Sequence, residues 1–207
     1  SLTNFKINFK QLNIQIKNAF LEISENPNNS EGVMSIIFLG HKNTINYEIN
    51  DEFILFASDK TSKNDPRIYL NGKVNISPFY YNIYVDLASF NVIKFIKNFY
   101  KIQNLFQNKI LLNKNFNGEI IFDIHSLLGF KLFDKAKINL EIQDGKLMLH
   151  NSIMTSEKIG KLIFLDSVIQ ENDGKKIFKS KFLFDIIDQK TFYQKLQVPK
   201  SNRKKLN

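Results

Sequence analysis

The residues best suited to metal binding or proton transfer are His41, His125 and His150, and no two of them lie at ligand spacing. A metal site would need three unrelated loops to converge, so they read as ordinary surface or strand histidines. The chain has no cysteine, which excludes a disulfide framework, a zinc knuckle and thiol chemistry. No G-x-S-x-G, H-E-x-x-H, P-loop or G-x-G-x-x-G pattern occurs. The carboxylates are scattered. Asp123 and Asp185 alternate away from neighbouring Phe and Ile, where a solvated strand face puts them. Asp86 and Asp185 each precede a helical pattern and suit capping or helix-dipole roles. With no acidic cluster and no Trp, a glycosidase pair is disfavoured. The chain is expected to be no enzyme and to use no cofactor or metal.

Charge and aromatics raise the question of nucleic acid. The net charge is +9, from 29 basic and 20 acidic residues, but only Arg67 and Arg203 are arginines. Arginine, not lysine, makes the bidentate contacts that read bases and clamp phosphates. The Lys-, Asn- and Ile-rich composition resembles that of an AT-rich genome, so no nucleic-acid partner is expected. Tyr80, Tyr81 and Tyr84, beside lysines, have the makings of a base-stacking platform. The competing reading, that they cover a sheet edge, is preferred.

The elements that would position these groups are mostly strands. Hydrophobic residues make up 43% of the 207, enough to exclude a disordered chain and to fill a core. Phe5, Ile7 and Phe9, then Leu12, Ile14 and Ile16, alternate as two short strands or one bulged strand. Strands are expected at 33–39, 44–49, 52–57, 67–76 and 80–87, with polar loops at 26–30 and 58–66. Pro78 marks an edge, turn or bulge. Val92, Phe95, Ile96, Phe99, Ile102, Phe106 and Ile110 then recur at three and four, predicting a long amphipathic helix at about 91–111, capped by Ser89 or Asn91. Asn117-Gly118 opens a strand bearing Ile120, Phe122 and Ile124. Ala136, Ile138, Leu140 and Ile142 alternate up to Asp144-Gly145, with Leu147 and Leu149 beyond, a hairpin signature. Strands follow at 161–170 and, after Asn172-Asp173-Gly174, through Phe182, Phe184 and Ile186. Asp188 caps a short helix that Pro199 ends. A weak echo joins Gly72-Lys73 through Val85-Asp86-Leu87 to a helix, and Gly174-Lys175 through Phe184-Asp185-Ile186 to another. No apolar run reaches the roughly 18 residues of a membrane-spanning helix. With Ser1 in place of an initiator Met and alternation already under way at Phe5, the chain is expected to begin mid-protein, with any anchor outside it.

The residues from Asn117 to Pro199 resemble the AsmA-like family of bacterial envelope proteins, which includes TamB-type members. The matching features are Gly145-Lys146-Leu147-Met148-Leu149 after Asp144, Gly160-Lys161-Leu162, Asn172-Asp173-Gly174, and Phe184-Asp185-Ile186-Ile187-Asp188 with Phe192, Leu196 and Pro199 behind. Gly72 to Ile96 looks like the same pattern, shifted, while residues 1–66 match only in β character. The long helix and the Lys and Asn excess depart from it. The resemblance implies a periplasmic protein anchored in the inner membrane through a segment not present here. Its apolar groove would carry phospholipid acyl chains between membranes or support outer-membrane assembly, with other envelope proteins as partners. The residues expected to line that groove, or else to form a closed core, are Ile120, Phe122, Ile124, Ile138, Leu140, Ile142, Leu147, Leu149, Phe182 and Phe184. The expected fold is mainly β: a curved, mostly antiparallel sheet, as a groove or open sandwich, with the long helix and a short C-terminal one. Its expected parts are an N-terminal strand region at 1–66, the AsmA-like sheet at 67–199 and a basic frayed tail at 200–207. The alternative is a structural or adhesive β-domain that binds a protein or glycan through its basic surface.

Overall fold

A computed structural model describes the backbone of residues 2–3, 7–9, 14–23, 29–38, 41–59, 68–97, 113–173 and 175–203, with side chains for 30–35, 43–59 and the last three of these spans. Fifteen strands occur among them. The first eight are β1 (Leu2–Thr3), β2 (Ile7–Phe9), β3 (Ile14–Ile23), β4 (Asn29–Phe38), β5 (His41–Asn50), β6 (Phe53–Ser58), β7 (Ile68–Asn75) and β8 (Tyr80–Leu87). The others are β9 (Phe90–Asn91), β10 (Gly118–Ile124), β11 (Leu127–Leu128), β12 (Lys135–Gln143), β13 (Lys146–Ser156), β14 (Gly160–Asn172) and β15 (Lys175–Ile186). Helix α1 covers 92–97 and α2 Gln189–Lys195, and a 3-10 turn follows at Lys200–Asn202.

Thirteen strands form one sheet in the order β1-β3-β4-β5-β6-β7-β8-β10-β12-β13-β14-β15, with β2 also on β3. All its pairings are antiparallel except β8 with β10. Turn chemistry explains the hairpins. Asp144 and Gly145 hold φ of 51° and 74°, as a two-residue turn matched to the strand twist requires, and Gln143 pairs with Lys146. Asn50 Oδ1 accepts from the amides of Glu52 and Phe53 and closes the β5–β6 turn. Three glycines in the strands lie opposite aromatics: Gly32 across from Tyr47, Gly72 from Phe56 and Gly118 from Tyr81. A Cβ at Gly72 would come within 2.6 Å of the Phe56 ring, so the ring occupies the space the glycine leaves.

The expectation of a curved groove or open sandwich is corrected by this topology. The described sheet is open, with β1 and β15 at opposite ends, and among the described residues no second large sheet faces it; the other sheet is the two-residue pair β9–β11. Each hairpin lays its strand on the outer side of the last one. The connection through α1 then sets β10 parallel on the outer edge of β8, so growth continues in the same direction. Closure would need the first and last strands to meet, and the order never turns back.

The long helix starts where expected, with Asn91 Oδ1 accepting from the Lys94 amide as its cap. The rest of that expectation, at 98–111, lies outside the described residues, as does most of the 58–66 loop. α2 is capped as expected: Asp188 accepts from the amides of Lys190 and Thr191 and from the Thr191 hydroxyl. Those bonds hold its carboxyl below the usual range. Asp86 does not cap α1; it turns to His125 instead.

Candidate site on the apolar sheet face

Strand alternation sorts the side chains of this sheet into two faces, and register aligns them across strands. One row joins Ile68, Leu87, Ile124, Ala136, Met154, Leu162 and Phe184. A second, at the other end of the strands, joins Val74, Tyr81, Gly118, Ile142, Leu147, Ile169 and Phe178. Between them runs Ile83, Ile120, Leu140, Leu149, Ser167 and Ser180. Ile54, Phe56, Ile45 and Tyr47 carry the same face onto β6 and β5.

The face is covered unevenly. Over the first row fold residues 125–134, with Phe133 1% exposed and its ring 5.7 Å from that of Phe184. The Phe192 ring of α2 also lies 5.0 Å from that of Phe184, edge to face. At the opposite end Phe116 sits 4.9 Å from the Tyr81 ring, with Phe79 stacked on it. Burial pushes the Tyr81 phenol up to about 12, with the neighbouring Tyr80 adding to it, and no described group hydrogen-bonds its hydroxyl. Between the two covers Val85 is buried, but most apolar side chains are only half-buried, Ile83, Ile120, Phe122, Ile138, Leu140, Leu149 and Phe164 among them.

All ten expected groove residues lie on this one face. Ile124, Ile142 and Leu147 are buried beneath the covers. Ile120, Phe122, Ile138, Leu140, Leu149 and Phe184 are half-buried, and Phe182, on the edge strand, is 60% exposed.

Sequence reasoning missed the covering residues, Leu127, Phe130 and Phe133. Their signal was a short apolar run, 127–133, with no period to assign it. It also missed the bulges. Asn151, at φ 50°, is an extra residue against β12, and Leu165 one against β15. Past them the parity reverses and serines enter the apolar face. Ser152, fully buried, donates to the Asn139 carbonyl and accepts from its amide, and Ser167 bonds Ser180 at 2.6 Å.

The other face carries the charged and polar groups, along with Ile121, Ile153, Ile163 and Leu183. His125 Nε2 lies 2.8 Å from Asp86, Tyr84 donates to Asp123 at 3.3 Å, and His150 Nε2 lies 3.6 Å from Glu141. Asp123 is on this face as expected. Burial and then the Asp123 and Asp86 charges raise the Tyr84 phenol, while burial and then Glu119 and Glu141 raise Tyr80. The tyrosines are thus split between faces, Tyr81 on the apolar one and Tyr80 and Tyr84 on the polar one, and form no common stacking platform. No group of three metal-ligating side chains comes together among the described residues. A shallow depression of about 820 Å³ lies over β4–β8, bordered by Glu31, Glu48, Leu55, Asn71, Lys73 and Asn82. No described helix is long and apolar enough to cross a membrane. His41 lacks a described side chain. No family model, curated protein or solved structure matches the chain.

Proposed function

We propose that this chain is a non-enzymatic, lipid-handling segment of a bacterial envelope protein, and that acyl chains lie along the apolar face of its open sheet. The observation that carries the reading is the half-buried strip of Ile83, Ile120, Leu140, Leu149 and Phe164 between two covered ends. A water-soluble sheet ordinarily packs such a strip beneath a second layer. An acyl chain laid there would be sheltered by about 0.8 kcal/mol per buried methylene. At one end of the strip the exposed Ser180, bonded across the strands to the buried Ser167, leaves a polar foothold for the glycerol side of a lipid. The resemblance of residues 117–199 to AsmA-like proteins points the same way and adds a periplasmic setting.

The test is native mass spectrometry of the chain purified from bacteria, followed by organic extraction and lipid analysis. Co-purifying phospholipid is expected, and it should be lost when Leu140 and Phe122 are changed to Asp while circular dichroism keeps its β signal. A folded chain that carries no lipid and binds no hydrophobic dye would overturn the reading in favour of a structural or adhesive β-domain.

A further inference from the structure

The sheet contains the same arrangement twice, and among the described residues only one copy is completed. β7 and β8 form a hairpin that ends in Asp86-Leu87 and runs into α1; β14 and β15 form one that ends in Asp185-Ile186 and runs into α2. The outer edge of β8 receives β10 in parallel, Gly118 beside Tyr81 and Ile124 beside Leu87. No described strand pairs with the outer edge of β15, a strand of 12 residues. Its side chains show the difference. Val85 is 7% exposed, whereas Phe178 and Phe182 are 62% and 60% exposed and Leu183 51%. A long, apolar edge with unpaired backbone groups is a template for strand addition.

Charge narrows the partner. Lys175, Lys176, Lys179 and Lys181 stand on β15 against the single acid Asp185, which Lys161 already meets at 3.6 Å. The inner neighbour places Asp166 and Glu171 opposite Lys181 and Lys176, but Val168 opposite Lys179 and Asn172 opposite Lys175. A second β15 laid antiparallel about Ser180 would set Lys179 against Lys181, although it pairs Lys175 with Asp185. One laid about Phe178 would set Lys175 against Lys181 with no acid opposite a lysine. With four lysines to one acid, a second copy meets like charge that an acidic strand does not.

We propose that the outer edge of β15 is a docking site for an extended peptide segment of another protein, added in parallel, with apolar residues on one face and acidic residues on the other. In the register that β10 uses on β8, the positions of Ile120, Phe122 and Ile124 fall beside Phe182, Phe184 and Ile186. Those of Asn117 and Glu119 fall beside Lys179 and Lys181. Main-chain bonds supply the affinity and the lysines select the sequence. This site is independent of the lipid reading, since it uses the edge of the sheet and not its face.

A fluorescein-labelled peptide, Glu-Gly-Glu-Ile-Ile-Phe-Asn-Ile, tests it by fluorescence anisotropy on the whole chain, with hydrogen exchange read on residues 175–186. The expected result is saturable binding, new amide protection confined to β15, and weakening in salt. The exposed pair K179E/K181E should weaken this peptide by about fivefold and favour the counterpart Lys-Gly-Lys-Ile-Ile-Phe-Asn-Ile instead. Because the swap is made in the peptide as well, a folding defect in the variant cannot imitate it. Equal binding of both peptides to the wild-type chain, binding without protection of β15, or a dimer in sedimentation that already protects this strand would each overturn the proposal.

Discussion

Replacing Tyr81 with Phe removes one oxygen from the covered end of the apolar face. The Tyr81 ring is 4% exposed, lies against Gly118 and Phe116, and would stay where it is. Its hydroxyl has no described hydrogen-bond partner, and a buried hydroxyl left so costs about 1–3 kcal/mol. Tyr81→Phe is therefore expected to stabilise the fold by about 1 kcal/mol at neutral pH. With a urea slope of about 2 kcal/mol/M, the midpoint should rise by about 0.5 M. The pH dependence gives a second reading. The folded phenol, at about 12, sits above the usual 10.0, so the fold prefers the neutral form. Its contribution is intact below pH 10 and is lost as pH rises from there through about 12, as the unfolded chain ionises first. The lead of the Phe variant should widen by about 1.4 kcal/mol for each pH unit in that window. Urea titrations of both proteins at pH 7, 10 and 11 measure this. A variant less stable at pH 7, or a gap that stays constant to pH 11, would refute the account of a dry, unpartnered hydroxyl.

Two further changes probe the covers and the turns. Phe133→Ala removes the largest fully buried side chain and should cost about 3–5 kcal/mol in urea unfolding, since the residues above the sheet lose their anchor against Phe184. Gly160 holds φ at 125° and its missing Cβ would collide with the Asp185 backbone, so Gly160→Ala should cost more than about 2 kcal/mol, seen as a lowered thermal midpoint.

Much of the second half was legible in the residues. Ile120, Phe122 and Ile124 alternate beside Ile138, Leu140 and Ile142 because one face is apolar, and period two fixes which side chains share it. Asp144-Gly145 named its own turn, and Asp188 its own helix cap. The limits have physical causes too. Alternation says that a face must be sheltered but not how the strands are ordered, so it cannot separate a groove or sandwich from an open sheet. One added residue at Asn151 reverses every assignment beyond it, and Asn is among the few residue types that take positive φ without outward sign. Asp86 stood before a helix as a cap would, yet the parallel placement of β10 brings His125 to it across 39 residues, a contact that no local pattern encodes.

That parallel junction also bears on how the chain reaches its fold. β3 to β8 and β12 to β15 are meanders whose partners are sequence neighbours, joined through short connections that close at small entropic cost. β10 joins β12 antiparallel but meets β8 only after residues 88–117 have been threaded across. Local contacts form fastest, so the two meanders are expected to assemble separately and the β8–β10 seam to zip last. In kinetic terms the protein is two fast-folding halves with one slow suture, and mutations at Ile83 or Ile120 should slow folding through that final step, whereas changes at the Asp144-Gly145 turn should act before it.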